Sequence, residues 1–413
     1  MGIQVVAVYS DADRAAPHVL DADESYHLGP GPVDESYLLV DRLLEVIQES
    51  GAEAVHPGYG LLSENAEFSE RCEALGCRWL GPSGDSIRRF GLKHTARDLA
   101  TDAGVPLCPG TGLMGSLEES LEASRTIGFP LMLKSTAGGG GIGMQVCRSE
   151  NELNEGYETV VRLAQSNFGD AGVFLERFVE SARHIEVQIF GDGEGEVVAL
   201  GERDCSAQRR NQKVIEETPA PGLSEEKRQS LLAAAVSLGE SVNYRSAGTV
   251  EFLYDTLREE FYFLEVNTRL QVEHGVTELA TGIDLVEWMV SLGAGENPIT
   301  PVSPERCAIE VRVYAEDPAK NFLPSSGLIT EAFFPEGVRC DGWISSGSEV
   351  SPFYDPLLVK IQVTGETRSE ALENLLEALN QTRIAGIRTN LGYLRQLVAS
   401  ADFRTGEVIT KWL

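Results

Sequence analysis

A mixed fold is predicted, α/β over the first part of the chain and α+β beyond it, and three features of the sequence predict it. Between residues 3 and 80, short apolar strands alternate with amphipathic helices, the order that builds a small parallel sheet. After an apolar strand at 173–179 that carries one acid, the strand at 184–189 alternates polar and apolar positions strictly, so it has one polar face. After residue 307, short antiparallel strands broken by Gly and Pro lead into two closing helices.

The elements follow in order. Residues 3–9 read as a buried strand, and residues 34–50 as a helix with Leu39, Leu43, Leu44 and Ile47 on one stripe. A second strand at 54–56 ends in Pro57-Gly58-Tyr59-Gly60, followed by a helix at 64–75 and a strand at 78–80. Such sheets place ligands just after a strand's carboxyl end, which makes His56 and Tyr59 site candidates beside the plain reading of a Gly-rich turn. Helices are expected at 93–103 and 116–127, the second closed by Gly128. A strand ending at Lys134 then enters Gly138, Gly139, Gly140, Gly141 and Gly143, and a further strand leaves that loop. Backbone N–H groups of such a loop can wrap phosphate oxygens, although Gly-rich loops alone are weak signals. A helix at 149–165 precedes strands at 173–179 and 184–189, and residues 196–200 extend the sheet. Arg209, Arg210 and Lys213 stand close together in an acidic chain, as a solvated charge run or an anion site. Helices at 224–241, 367–382 and 390–398 complete the reading, with a strand at 307–316 that carries Arg312 on its polar side.

The chain is organised around residues 263–274. Glu265 and Asn267 lie two apart on a strand and point to one face, and such oxygens suit Mg²⁺. Glu251 falls on the neighbouring strand of the same hairpin, and two facing carboxylates repel unless a cation lies between them. Arg269, Gln271 and Glu273 continue the alternation, adding an anion-binding guanidinium and a possible general base.

Composition narrows the function classes. A net charge of -30 spread along 413 residues argues against nucleic acid or an anionic membrane as partner. No run of about 20 apolar residues is present, so no membrane span is expected, and the start lacks a secretory signal. Seven cysteines without a CxxC pair fit a reduced cytoplasmic protein with no structural zinc. Only seven of the 34 basic residues are lysine. High acid and scarce lysine together suggest a halophilic protein, in which salt screens self-repulsion.

Several separated segments together resemble biotin carboxylase, an ATP-grasp enzyme. They are His56-Pro-Gly-Tyr-Gly-Leu-Leu-Ser-Glu-Asn65, residues 134–144, residues 202–213 and Glu265-Val-Asn-Thr-Arg-Leu-Gln-Val-Glu-His274, with Ala315-Glu-Asp-Pro318 and Tyr354-Asp-Pro-Leu357 in support. The resemblance implies a pre-ATP-grasp domain at 1–91, an ATP-grasp domain at 92–300 with a mobile lid at about 110–180, and a C-terminal domain of antiparallel β plus helices at 301–413. It implies ATP, Mg²⁺ or Mn²⁺, and biotin as cofactors. Lys93, Lys134 and the five loop glycines would meet the ATP phosphates, with Glu176 near the adenine and His184 and Gln208 near the nucleotide. Glu251, Glu265 and Asn267 would hold the metal. Lys213, Arg269, Gln271 and the backbone of Val272 would bind bicarbonate, Glu273 would deprotonate it, Arg312 would stabilise the biotin enolate, and Tyr59 would lie near the ureido group.

The resemblance has departures. The strand and helix with which such enzymes begin are expected to be missing ahead of residue 3. Asn211, Ile142 and residues 382–394 are more similar to urea carboxylases than to acetyl- or propionyl-CoA carboxylase subunits, which places a urea- or guanidine-type acceptor slightly ahead. An inactive truncated assembly subunit and a carbamoyl-phosphate-type ATP-grasp ligase are the rival readings. No Ala-Met-Lys-Met attachment motif is present, so biotin is expected on a separate carrier protein, alongside a carboxyltransferase subunit and a homodimeric state.

Overall fold

In the computed structural model, residues 1–135, 143–168 and 172–413 are described. The first unit is built from β1 (Val6–Ser10), α1 (Pro17–Leu20), β2 (Glu24–Gly29), α2 (Val40–Ser50), β3 (Ala54–Val55), α3 (Ala66–Ala74), β4 (Arg78–Trp79) and α4 (Gly84–Gly91). The expected single parallel sheet is two separate parallel pairs, β1 with β2 and β3 with β4. The strands β3 and β4 pair through only two residues each, so side chains rather than a ladder unite this unit. Leu44, Phe68, Cys72, Trp79 and Ile87 form its core. The predicted helix at 34–50 begins at Val40, because a 3₁₀ turn takes up Val33–Glu35. It stops at Gly51, whose φ of 68° is the left-handed cap glycine adopts without steric cost.

Next come α5 (Lys93–Asp102), α6 (Leu117–Ile127), β5 (Leu131–Ser135), β6 (Met144–Cys147), α7 (Glu150–Phe168) and β7 (Val173–Arg177). The strand that ends beyond Lys134 pairs antiparallel with both β6 and β7, so the predicted strand-loop-strand hairpin is present. Gly138, Gly139, Gly140 and Gly141 of its loop, with Ile142, lie outside the described residues.

The main sheet follows: β8 (Ala182–Asp192), β9 (Val197–Arg209), β10 (Gln212–Thr218), α8 (Glu225–Glu240), β11 (Arg245–Asp255), β12 (Glu260–Asn267), α9 (His274–Thr281), α10 (Leu285–Ala294) and β13 (Cys307–Tyr314). Its eight strands run β12-β11-β8-β9-β10-β13, then Leu357–Gly365 and Arg339–Gly342, with every neighbouring pair antiparallel. It therefore crosses residue 300, where the sequence suggested a domain boundary.

Two helices after the last long strand, α11 (Arg368–Gln381) and α12 (Leu391–Ala399), cover one face. Odd-numbered Ile309, Val311 and Val313 of β13 pack there with Leu372, Leu375 and Leu394. Even-numbered Glu310 and Arg312 thus point to the other face, and on that face the polar cluster is assembled.

Candidate active site

Strand register places the cluster. Glu265 stands opposite Glu251, Glu251 opposite Glu186, and Glu186 opposite Arg203, in one row across β12, β11, β8 and β9. Glu186 and Glu251 are buried and Glu265 at the end of the row is exposed; the two buried carboxylates require cations between or beside them, since burial and mutual repulsion both oppose the charged form. Arg203 closes the row. It has no solvent exposure, and its Nε donates to Glu186 Oε1 at 2.6 Å. Its other nitrogens donate to Gln188 Oε1 at 2.8 Å, Thr277 Oγ1 at 2.9 Å and Thr249 Oγ1 at 3.1 Å.

Lys213 enters the row from β10. Its three N–H groups are all used, donating to Glu186 Oε2 at 2.5 Å, Glu251 Oε1 at 2.9 Å and Glu273 Oε1 at 2.7 Å. Burial alone would lower the Lys213 pKa, but the three carboxylates hold it well above the ordinary value. The charge-run reading of residues 209–213 is therefore corrected for Lys213. Of its two neighbours, Arg209 donates to Glu316 at 2.6 Å and stacks on Phe322, and Arg210 reaches Asn321 Oδ1 at 2.7 Å.

Glu273 is 1% exposed and caps the start of α9. Arg312 Nη2 donates to its Oε2 at 2.8 Å, so both carboxylate oxygens face cations. Burial pushes this carboxyl up, yet Lys213, Arg312 and Arg203 together hold it well below the carboxylate range. The stretch from Arg269 to Glu273 was expected to continue the alternation of β12. It is a turn instead, because β12 ends at Asn267 and α9 starts at His274. The turn still gathers the three predicted side chains: Arg269 Nη1 donates to Gln271 Oε1 at 2.9 Å, and Gln271 Nε2 to Glu251 Oε1 at 3.4 Å. Val272 is anchored through its carbonyl, which accepts from Lys360 Nζ at 2.5 Å.

The three residues expected to hold a divalent cation lie together. Glu251 and Glu265 face one another across the hairpin, and Asn267 Oδ1, the one amide atom able to ligate a cation, accepts from Arg269 Nη2 at 2.8 Å. Partial desolvation and the Glu251 charge raise the Glu265 pKa, and a cation between the two would relieve both effects. His184, Glu186 and Glu251, and likewise Glu186, Cys205 and Glu273, also bring ligand atoms within 4.8 Å of one another, with Lys213 donating to Glu186, Glu251 and Glu273. His184 Nε2 lies 3.1 Å from Glu251 Oε2, and Gln208 Nε2 lies 2.8 Å from His184 Nδ1, which directs the ring proton at Nε2 toward Glu251. Glu265→Gln is accordingly expected to weaken Mn²⁺ binding by about ten- to hundred-fold, read by electron paramagnetic resonance titration. Unaltered affinity would place the ion elsewhere.

The remaining predicted residues lie around this cluster. Lys134 and Arg97 both pair with the buried carboxylate of Glu176. Lys93 opens α5 and its charge lowers the Glu265 pKa. Tyr59 is 42% exposed, on the turn of the first unit that follows β3. Gly143 is the described glycine of the loop, with φ of 74°.

Sequence reading missed several participants. Glu186 was legible as a polar-face residue between His184 and Gln188, but nothing marked it as the acid shared by Lys213 and Arg203. Arg203 lies in the 202–213 segment that carries the resemblance, but no role was expected of it. Glu64 belongs to the segment ending at Asn65, and it accepts from Arg269 Nε at 2.8 Å and from Thr268 N at 3.0 Å.

Three family models match the chain. They are the biotin carboxylase N-terminal domain at residues 1–87, the carbamoyl-phosphate synthase L chain ATP-binding domain at 93–298, and the biotin carboxylase C-terminal domain at 310–413. The urea amidolyase of Lachancea kluyveri is 52% identical over the whole chain, which spans 23% of that protein's length. The biotin carboxylase of Halalkalibacterium halodurans is 48% identical, with 100% of this chain matched to 92% of that one. Among solved structures, the biotin carboxylase domain of Hydrogenobacter thermophilus 2-oxoglutarate carboxylase, in complex with MgADP, ADP and bicarbonate, superposes with a TM-score of 0.92. That domain is 40% identical, and the match covers 100% of this chain and 92% of that one.

Proposed function

The chain belongs to the biotin carboxylase family, and from that premise we infer that its carboxylate–cation cluster carries out the ATP- and bicarbonate-dependent carboxylation of biotin. The observation that carries the reading is Glu273, held between Lys213 and Arg312 beside the Glu251–Glu265 row.

Lys213, Arg269, Gln271 and the Val272 N–H receive bicarbonate. The arriving anion offsets the cations that depress Glu273, so its carboxylate becomes a stronger base when its substrate is present. Proton removal turns a poor nucleophile into one that attacks the γ-phosphorus of ATP, forming carboxyphosphate as the bond to ADP breaks; carboxyphosphate releases CO₂ and phosphate, the phosphate takes the biotin N–H proton, and the biotin nitrogen bonds to CO₂. A divalent cation held by Glu251, Glu265 and Asn267 would offset the phosphate charge. Lys93, Lys134, His184, Gln208 and the Gly-rich loop bind the nucleotide, with Glu176 by the adenine. Arg312 stabilises the biotin enolate, and Tyr59 lies by the ureido ring.

The reading keeps the segments 1–91, 92–300 and 301–413, the last two sharing the eight-stranded sheet, with a lid at about 110–180. It includes a separate biotinylated carrier protein, a carboxyltransferase partner, a homodimer, a cytoplasmic setting and adaptation to high salt. Among the described residues no helix is long and apolar enough to cross a membrane, which is consistent with that setting. A urea- or guanidine-type acceptor is favoured by the 52% and 51% identities to two urea amidolyases. An acyl-CoA acceptor is the second reading, since a methylcrotonoyl-CoA carboxylase subunit is 46% identical.

The test is ATP hydrolysis with Mg²⁺, in dilute buffer and again in molar KCl. The rate is expected to require bicarbonate, to rise with free biotin and to persist in the high salt. Hydrolysis indifferent to both bicarbonate and biotin would overturn the reading.

A further inference from the structure

Behind Arg312 lies a second acidic pair that the reaction described above does not use. Glu216 on β10 stands directly opposite Glu310 on β13, and both residues have no solvent exposure. None of their four carboxylate oxygens accepts a hydrogen bond among the described residues. Directly opposed residues in an antiparallel pair bring their Cβ atoms to about 5 Å, so two charged carboxylates there would repel strongly. The cations at hand are few. Arg312 Nε lies 2.6 Å from Glu216 Oε1, while Lys360 Nζ is 3.9 Å from Glu310 Oε2. Both are committed elsewhere as well, Arg312 to Glu273 and Lys360 to the Val272 carbonyl.

We propose that Glu216 and Glu310 retain one proton between them and act as a positioning pair, whose single remaining negative charge holds the Nε edge of Arg312 while its Nη2 edge faces Glu273. A fully charged pair would draw Arg312 away from Glu273 and from the substrate. A fully neutral pair would leave Arg312 to Glu273 alone. This inference rests on the reading that Arg312 works on biotin.

Burial pushes Glu310 up to about 7 against Lys360 and Arg312, and pushes Glu216 up to about 8 against Arg312. The sign is that of a raised carboxyl. The proton is held below this range and lost as pH climbs through it. The other charged or titratable groups facing the pair are Lys213 on β10, Cys205 on β9 and Tyr314 on β13. Glu273 stands at the head of α9, and Asp341 lies on the outermost strand. His274 on α9 is held neutral, burial and Lys360 lowering it to about 4. The helices α11 and α12 pack on the opposite face, where Glu217 pairs with Arg368.

The experiment compares wild type, Glu216→Gln, Glu216→Asp and Glu310→Gln for kcat and KM toward biotin and ATP across pH 6–9. Glu216→Gln is expected to lower kcat/KM for biotin by about tenfold or more, the loss of a charge-assisted contact, with KM for ATP within about twofold. Glu216→Asp should recover part of that loss. Glu310→Gln keeps one member neutral at every pH, so the alkaline decline in kcat/KM for biotin should move up by about one pH unit or more. Wild-type biotin constants and an unmoved alkaline limb in both glutamine variants would overturn the pair's role. If Glu216→Gln does not fold, the Glu310→Gln profile decides alone. A wild type that ignores biotin would instead refute the assigned reaction.

Discussion

Glu273→Gln is expected to lower bicarbonate-dependent ATP turnover by about 10²- to 10⁴-fold, the range a positioned general base contributes. Glutamine preserves the shape, and its one amide oxygen can still accept from Lys213 or from Arg312, which donate to the two separate carboxylate oxygens at 2.7 and 2.8 Å. What it loses is the ability to take a proton. The effect should therefore fall on kcat, with KM for ATP little changed, and a steady-state comparison at saturating bicarbonate reads it. A loss under about threefold would remove Glu273 from proton transfer. Its depressed pKa does not argue against this role. Lys213, the first of the cations that lower it, is also predicted to bind the substrate anion, so the base gains strength as bicarbonate arrives.

Arg203→Ala is expected to destabilise the protein by about 3–5 kcal/mol, the effect of breaking a fully buried ion pair from one side. The guanidinium makes four hydrogen bonds to Glu186, Gln188, Thr277 and Thr249. Without it, Glu186 would keep Lys213 as its one hydrogen-bonded cation among the described residues, a cation it shares with Glu251 and Glu273, and the row would carry a surplus of buried negative charge. Arg203→Lys should retain only part of the stability, since an ammonium cannot reproduce the planar fork. Urea unfolding at fixed salt measures both variants, and a change below about 1 kcal/mol for Arg203→Ala would show that water replaces the guanidinium. Removing Arg203 also unpins α9, because Thr277 lies one turn beyond Glu273.

The parts of this arrangement that sequence made legible are the ones governed by strand periodicity. Glu265, Asn267 and the facing Glu251 follow from alternation and a hairpin, and the register bears this out. The Gly-rich hairpin and most helices follow from apolar stripes and caps. Buried charge was hidden, because a strand's polar face reads the same whether it meets water or other strands. Glu186, Arg203, Glu216 and Glu310 were invisible for that reason: each needs cross-strand partners from segments far apart in the chain. Alternation also misled at Arg269 to Glu273, where a turn brings the same side chains together by a different backbone. The first sheet was misjudged because two-residue strands carry the same apolar signature as longer ones.

The continuity of the eight-stranded sheet past residue 300 has a consequence for cooperativity. The ladder between β10 and β13 joins Ile215 to Val311 and Glu217 to Ile309, across the point where a reader of the sequence would cut. A fragment ending near residue 300 would leave β10 as an unpaired edge and strip Arg312 from Glu273. The stretches on either side of residue 300, separable as sequence segments, share one sheet and are expected to unfold together.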